Sequence, residues 1–131
     1  VKGTAVDGVA YFTPPEVRPS NTFSKVALVQ TDRQIYISGL YARKPSRGEP
    51  QSVDVFEQLQ EILAETGSDL RHLVKATYYV SDDDAARWID RTRPQLYDPT
   101  RPPAASKLMV HGVGQAQRTM TVDMIAVGPA R

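Results

Sequence analysis

The order of secondary-structure signals along the chain predicts an α+β domain, with two helices covering one face of a mixed β-sheet. Alternating and β-branched runs predict strands, and two segments of helical periodicity lie between them. In chain order the signals give β-β-α-β-α-β-β over 131 residues, which suits a single domain spanning residues 1–131. This arrangement is the simplest way for each element to bury its apolar side.

The N-terminal part is interpreted as a loop followed by a β-hairpin. Residues 1–22 are rich in glycine, proline and threonine, and allow only a short edge strand at Val9–Phe12. Alternation over residues 25–30 and the segment Ile35–Leu40 predict two strands joined by a turn. Gly39, near the end of the second strand, indicates a bulge or a close approach of the backbone to another group.

Two segments have the periodicity and the end signals of helices. The first is predicted to have Ser52 as its N-cap and to stop at Gly67. The second is predicted to be capped by Ser81 and to be ended or kinked by Pro94. Their predicted inner faces consist of Val55, Phe56, Leu59, Ile62 and Leu63 in the first helix, and Ala85, Trp88, Ile89 and Thr92 in the second.

Three further strands complete the sheet: Leu73–Val80 between the helices, and Ala105–Val110 and Thr119–Val127 at the end of the chain. The helices leave the second face of the sheet uncovered, although this face also carries apolar side chains. Such a face is usually buried against another subunit. The sequence therefore predicts self-association.

The composition excludes several classes of protein. Sixteen basic and fifteen acidic residues nearly cancel, so the basic excess of a nucleic-acid-binding or membrane-binding surface is missing. The chain has no cysteine, which removes disulfides, thiolate catalysis and cysteine metal sites. Neither histidine belongs to a metal-spaced pair or a triad. We therefore expect a cytoplasmic protein that binds no metal, no nucleic acid and no membrane.

Five segments, taken in order, resemble the RidA (YjgF) family. Thr22–Val26 resembles its Pro-Tyr-Ser-Gln-Ala motif, and Ile37–Gly39 resembles its Val-Ser-Gly strand end. Glu57–Gly67 followed by Leu73–Thr77 resembles its helix, glycine stop and Val-Lys-x-Thr strand. Pro103–Ser106 resembles its Pro-Ala-Arg-Ser motif, and Val122–Val127 its closing Ile-Glu-Ala-Ile-Ala-Val strand. No single segment is specific, but their order and near-family spacing make chance a poor explanation.

This resemblance implies a chorismate-mutase-like fold and a homotrimer, in which the sheets form a central barrel with clefts between subunits. Enzymes of the family hydrolyse reactive enamines or imines, such as 2-aminoacrylate, to 2-oxo acids and ammonia without a cofactor. The motif arginine holds the substrate carboxylate. Backbone groups near the Ser-Gly strand end and a final-strand glutamate position the substrate and water.

The corresponding site is altered in this chain. Alanine, Ala105, stands where the family has the motif arginine, and its methyl group cannot make the two charge-assisted hydrogen bonds of a guanidinium. Losing such a contact costs roughly 2–5 kcal/mol of binding when the partner charge stays buried. The motif tyrosine becomes Phe23, the glutamate becomes Asp123, and a frequent cysteine becomes Lys107.

The predicted substrate-binding residues are Phe23, Ser38, Gly39, Ala105, Lys107 and Asp123. Strand alternation puts residues 105 and 107 on one face, so Lys107 is a candidate replacement cation. Alternatively, Lys107 pairs with Asp123 if the last two strands are neighbours. The candidate catalytic residues are Asp123, which would orient a water, and Lys107.

Three functions from different classes remain open. The first is a hydrolase for a reactive imine, enamine or related carbonyl metabolite, with an altered site. The second is a non-catalytic metabolite-binding or regulatory trimer, which the missing arginine favours. The third, a ribonuclease or translation inhibitor, is the least supported because the basic excess and paired histidines are missing. The expected partners are a small carboxylate-like or imine ligand and further copies of the chain.

Overall fold

The computed structural model describes residues 4–128 and divides their strands between two sheets. Three short strands form an antiparallel sheet in chain order: β1 (Thr4–Val6), β2 (Val9–Phe12) and β3 (Val26–Val29). Four longer strands form the second sheet: β4 (Gln34–Leu40), β5 (Leu73–Val80), β6 (Ala104–Met109) and β7 (Met120–Val127). Their order across this larger sheet is β4-β7-β5-β6, with β5 and β6 parallel and the other pairs antiparallel.

Two helices, α1 (Gly48–Glu65) and α2 (Asp83–Leu96), pack on one face of the larger sheet, which confirms the predicted α+β layering. The core between these layers includes Phe56 and Ile89 from the helices and Tyr78 and Met124 from the strands, each at most 1% exposed. Because side chains alternate along a strand, the residues between the core-facing ones lie on the opposite surface. We call that surface, which the helices do not cover, the open face.

The smaller sheet covers one end of the open face. Val9 of β2 is buried against Val74 and Val127, and the neighbouring apolar side chains of both sheets pack around them. The Tyr11 hydroxyl donates a hydrogen bond to the Leu73 carbonyl at 2.8 Å, which fixes β2 to the start of β5. The strand predicted at Val9–Phe12 therefore exists, but it belongs to a separate three-stranded sheet and not to the single mixed sheet predicted. The predicted hairpin of the next two strands was wrong, because β3 pairs with β2 and β4 pairs with β7.

The first helix begins earlier than predicted. Its N-cap is Arg47, and no side chain caps it. Pro50 is tolerated because it lies in the first turn, where backbone N–H groups have no partner within the helix. Ser52 is instead fully buried, and its hydroxyl lies 2.8 Å from that of Thr92 on α2. The prediction of Ser52 as the cap was wrong, because the residue links the two helices.

The second helix is capped by Asp82 and not by Ser81. The Asp82 carboxylate accepts a hydrogen bond from the backbone N–H of Ala85 at 2.8 Å. The helix continues past Pro94 to Leu96, because this proline lies in the last turn and removes only one hydrogen bond. None of the helices within residues 4–128 is long and apolar enough to cross a membrane.

Candidate functional site

A β-bulge in β4 faces Asp123 of β7. Ile37 pairs with Met124 and Leu40 pairs with Val122, so Ser38 and Gly39 together lie opposite one residue, Asp123. Gly39 has a φ of 62°, a left-handed conformation that glycine adopts without strain. The bulge turns the Gly39 N–H toward the Asp123 carboxylate, which accepts it at 2.7 Å. Three of the predicted binding residues, Ser38, Gly39 and Asp123, are therefore adjacent, and the bulge predicted at Gly39 is present.

A row of polar residues extends from this bulge across the open face. Asp123 pairs with Thr77 of β5, and Thr77 pairs with Ser106 of β6. Lys75, also on β5, donates a hydrogen bond from its Nζ to the Ser106 hydroxyl at 3.0 Å. We call these residues, with Ser38 and Gly39, the polar row. Across the larger sheet, the polar row has the Asp123 carboxylate beside β4 and the Lys75 ammonium group beside Ser106 of β6.

Lys107 lies on the opposite face of the sheet from Asp123. It pairs in register with Tyr78, which faces the helices, and its Nζ contacts both carboxylate oxygens of Asp90 on α2 at 2.7 and 2.8 Å. The strands β6 and β7 are not neighbours, because β5 lies between them. The alternative in which Lys107 pairs with Asp123 is therefore wrong, and Lys107 does not reach the polar row within one chain.

Ala105 shares the helix side of the sheet with Lys107. It pairs with Ala76 and packs, partly buried, against the helix-facing core. Phe23 is half-buried and precedes Ser24, whose backbone N–H and hydroxyl donate to the carbonyls of Pro103 and Pro102. Ser24 thus fixes this segment to the start of β6. Within one chain, Phe23, Ala105 and Lys107 do not converge with Asp123.

A second cluster of charged residues lies where the β1–β2 turn meets the start of β5. The two ring nitrogens of His72 lie 2.6 Å from Asp69 Oδ1 and 2.8 Å from Asp7 Oδ2. The His72 ring therefore lies between two carboxylates, one at each nitrogen. The hydrogen bond from His72 holds the pKa of Asp7 below its usual range, and the nearby charge of Arg101 acts in the same direction.

Arg101 is buried beneath this cluster, with its side chain only 3% exposed and its Nη1 3.5 Å from Asp7 Oδ2. No signal in the sequence indicates this cluster, since its members are far apart in the chain and follow no motif spacing. The charged cluster at His72 attaches the β1–β2 turn to the larger sheet.

Two tyrosines buried in the helix-facing core have raised pKa values. The hydroxyls of Tyr78 and Tyr97 hydrogen-bond to each other inside the helix-facing core. Burial raises the pKa of Tyr78 and raises the pKa of Tyr97 well above its usual value. Both lie on the helix side of the sheet and away from the polar row, so we assign them to packing. Within residues 4–128, no three acidic or histidine side chains are grouped closely enough to hold a metal ion.

Comparison with known proteins places this architecture among its relatives. The family model described as Endoribonuclease L-PSP matches residues 14–128. A YjgF-family protein of Neisseria meningitidis is 22% identical, with a TM-score of 0.70, and the match covers 94% of this chain and 97% of that one.

Two other solved structures share the fold at similar identity. A Rid-family protein of Yersinia pestis is 19% identical, with a TM-score of 0.77 and coverage of 92% of this chain and 98% of that one. Yeast Mmf1 is 20% identical, with a TM-score of 0.60 and coverage of 97% and 98%. Among curated proteins, no match was found.

Proposed function

The chain belongs to the endoribonuclease L-PSP family, whose solved relatives include YjgF and Rid proteins, and from that premise we propose that it hydrolyses a reactive imine or enamine. The proposed site is the polar row on the open face. The observation that carries this proposal is the 2.7 Å hydrogen bond between the Gly39 N–H and Asp123, which fixes a carboxylate at a bulged strand end. We place the activity in the cytoplasm, as the cysteine-free sequence leads us to expect.

Asp123 is suited to orient and activate a water. Its Oδ1 is held by Gly39, and among residues 4–128 no group donates to its Oδ2. In the proposed reaction on a protonated imine, Oδ2 accepts one proton from water while the water oxygen adds to the imine carbon. Asp123 then returns that proton to the nitrogen of the carbinolamine, and the C–N bond breaks as the hydroxyl oxygen forms the C=O bond. The hydroxyl proton leaves to solvent, and ammonia and a carbonyl compound are released. A positioned acid–base group of this kind contributes roughly 10²–10⁴-fold to the rate.

We propose that the active form is a homotrimer in which neighbouring copies complete the site. Tyr36 on the open face is 71% exposed and Leu108 is 43% exposed, which leaves apolar surface that a second copy would bury. Ala105 and Asp123 lie on opposite faces of one sheet, so only a neighbouring copy can bring these two positions together. This arrangement would explain why the motif position is far from the polar row within a chain.

Ammonia release from freshly generated 2-aminoacrylate tests the proposed reaction. We expect the parent protein to exceed the spontaneous rate and Asp123→Asn to lose roughly 10²–10⁴-fold of that enhancement, since an amide cannot accept the proton. Glu57→Gln, an exposed position on α1 with the same change in charge, is the matched control and keeps the parent rate. Equal rates for Asp123→Asn and the parent would contradict the assigned role.

The Ala105→Arg variant tests separately what the missing motif arginine means. A gain of activity over the parent would indicate that a neighbouring copy brings this position to the site and that the natural chain has left the family's usual reaction. If the parent is already fast and Ala105→Arg adds nothing, the arginine is dispensable here.

A non-catalytic binding trimer is the second candidate. It is favoured by one observation: Lys107, the proposed replacement cation, is bound to Asp90 on the helix side of the sheet. Saturable binding of a small imine or carboxylate without ammonia release would select this function. Cleavage of RNA, which the family description suggests, is assayed in parallel. We expect none above background from a chain whose formal net charge is +1.

A further inference from the structure

We propose that the polar row selects a ligand with a nitrogen at one end, an anionic group at the other and an extended chain between them. The nitrogen lies against Asp123 and the anionic group lies against Lys75 and Ser106. This inference rests on the proposed function in one respect, the placement of the ligand on the open face. It adds the charge, length and orientation of that ligand.

The bulge end of the row accepts a hydrogen-bond donor and repels an anion. Asp123 already fills the place in front of the Gly39 N–H, which would otherwise attract a carboxylate. A Cβ added at Gly39 would meet no atom within 4 Å, so the space beside this hydrogen bond is open. A protonated imine or amine therefore finds a carboxylate there, whereas a carboxylate ligand meets a like charge.

The opposite end of the row carries the matching positive charge. Of the two lysines in β4–β7, Lys107 faces α2 and Lys75 alone lies on the open face, and these four strands contain no arginine. The Lys75 Nζ is 3.0 Å from the Ser106 hydroxyl, so an ammonium and a hydroxyl donor are presented side by side. Two donors at this spacing suit the two oxygens of a carboxylate.

The strand order sets the distance between the two ends. Asp123 and Ser106 are two strands apart, since Thr77 of β5 pairs with both, and neighbouring strands lie about 4.8 Å from each other. The separation of about 10 Å less one hydrogen bond of about 2.9 Å at each end leaves roughly 4 Å or slightly more. An α-amino acid, with one carbon between its nitrogen and its carboxylate, falls short of this span, whereas a β-amino or β-imino acid, with two carbons between them, reaches both ends.

Amide chemical-shift titration of the full-length protein tests this inference, with the Gly39 and Ser106 amides as the two reporters. The single-ended probes are acetamidinium and acetate, which have the same planar shape and opposite charge. The two-ended probes are 3-aminopropanoate and glycine. We expect acetamidinium to shift Gly39, acetate to shift Ser106, and 3-aminopropanoate to shift both while binding about tenfold or more tightly than glycine.

Two variants separate the ends of the row. Asp123→Asn should weaken acetamidinium binding about tenfold and leave acetate binding at Ser106 unchanged, and Lys75→Met should do the reverse. Glu57→Gln carries the same charge change as Asp123→Asn at an exposed site on α1, and we expect it to alter neither titration. Spectra that match the parent away from the row confirm that each variant is folded.

The outcomes distinguish this inference from the catalytic proposal. Acetate shifting Gly39 more than acetamidinium, glycine binding as tightly as 3-aminopropanoate, or no shift at either amide would each overturn the inference. Ammonia release that depends on Asp123 would sustain the catalytic proposal even then. If a ligand binds both ends of the row but the protein releases no ammonia from any imine, the inference stands and the catalytic proposal is wrong.

Discussion

Gln51, near the start of α1, connects this helix to the first residues of β7 through a single buried amide. Its Oε1 accepts the backbone N–H groups of Thr119 and Met120 at 2.8 and 3.2 Å, and its Nε2 donates to the Thr119 hydroxyl at 2.7 Å. The side chain is 0% exposed. Because Thr121 and Asp123 follow closely on β7, this contact helps to set the position of the polar row.

Gln51→Leu is expected to destabilise the fold by about 1–3 kcal/mol, because it leaves buried backbone N–H groups without an acceptor. The measurement is the free energy of unfolding in urea. Gln60→Leu, at an exposed position on the same helix, is the control and should change stability little. Equal losses for the two variants would show that the Gln51 hydrogen bonds do not contribute net stability.

At this scale the sequence predicted part of the site. The motif residues Ser38, Gly39 and Asp123 are adjacent, because the strand end and the final strand pair with each other. Alternation correctly placed residues 105 and 107 on one face but could not say which face, since that depends on the register of β6 against β5. Lys75 belongs to the segment that resembles the Val-Lys-x-Thr strand, yet its link to Ser106 depends on a strand neighbour that one sequence does not reveal.

At the scale of elements, the second helix shows that a capping signal in the sequence can identify the wrong one of two neighbouring residues. Ser81 and Asp82 are both competent caps, but the Ser81 N–H still pairs with the Thr119 carbonyl, and the Asp82 carboxylate accepts the Ala85 N–H. The periodicity of apolar residues predicts which segments form helices and which form strands, because each element buries one face. The separation of β1–β3 into a second sheet could not be predicted, because it depends on long-range contacts such as that of Val9 with Val127.

The hairpin of β1 and β2 is held by the charged cluster at His72, which makes its attachment dependent on pH. Asp7 has a lowered pKa in the folded protein because His72 hydrogen-bonds to it and Arg101 lies nearby, while Asp69 faces the other ring nitrogen. A carboxyl group of this kind stabilises the fold above its unfolded pKa, about 3.9, and loses that contribution as the pH falls through the lower folded value.

We therefore expect the thermal midpoint of the parent to fall between pH 5 and pH 2.5 more steeply than that of Asp7→Asn. The variant should be less stable than the parent at pH 5 and approach it in acid, because the amide carries no charge to lose. Circular dichroism melts at several pH values provide the measurement, and Asp32→Asn, in the exposed β3–β4 turn, is the control. Parallel curves for the parent and Asp7→Asn would exclude this role.

At the scale of the whole molecule, the open face determines how copies associate. Tyr36→Glu and Leu108→Glu each place a charge on the exposed apolar part of this face, and we expect either change to shift a trimer toward monomers. Light scattering coupled to gel filtration measures the mass. Val53→Glu, at an exposed apolar position on the helix side, should leave the mass at three times that of one chain. A monomeric parent protein would contradict the proposed assembly.

The two outer strands of the larger sheet, β4 and β6, present edges that bear on how the protein could aggregate. Apart from the bridge between Ser24 and Ala104, no strand within residues 4–128 pairs with the outer edge of β6, and β4 forms the other edge. An unpaired edge can accept a strand from another molecule, and head-to-tail contacts of that type end only when a ring closes. If the edges of β4 and β6 also meet between copies of the proposed trimer, a substitution that slightly changed the angle between copies would leave that ring open, and the same contacts would extend into a filament.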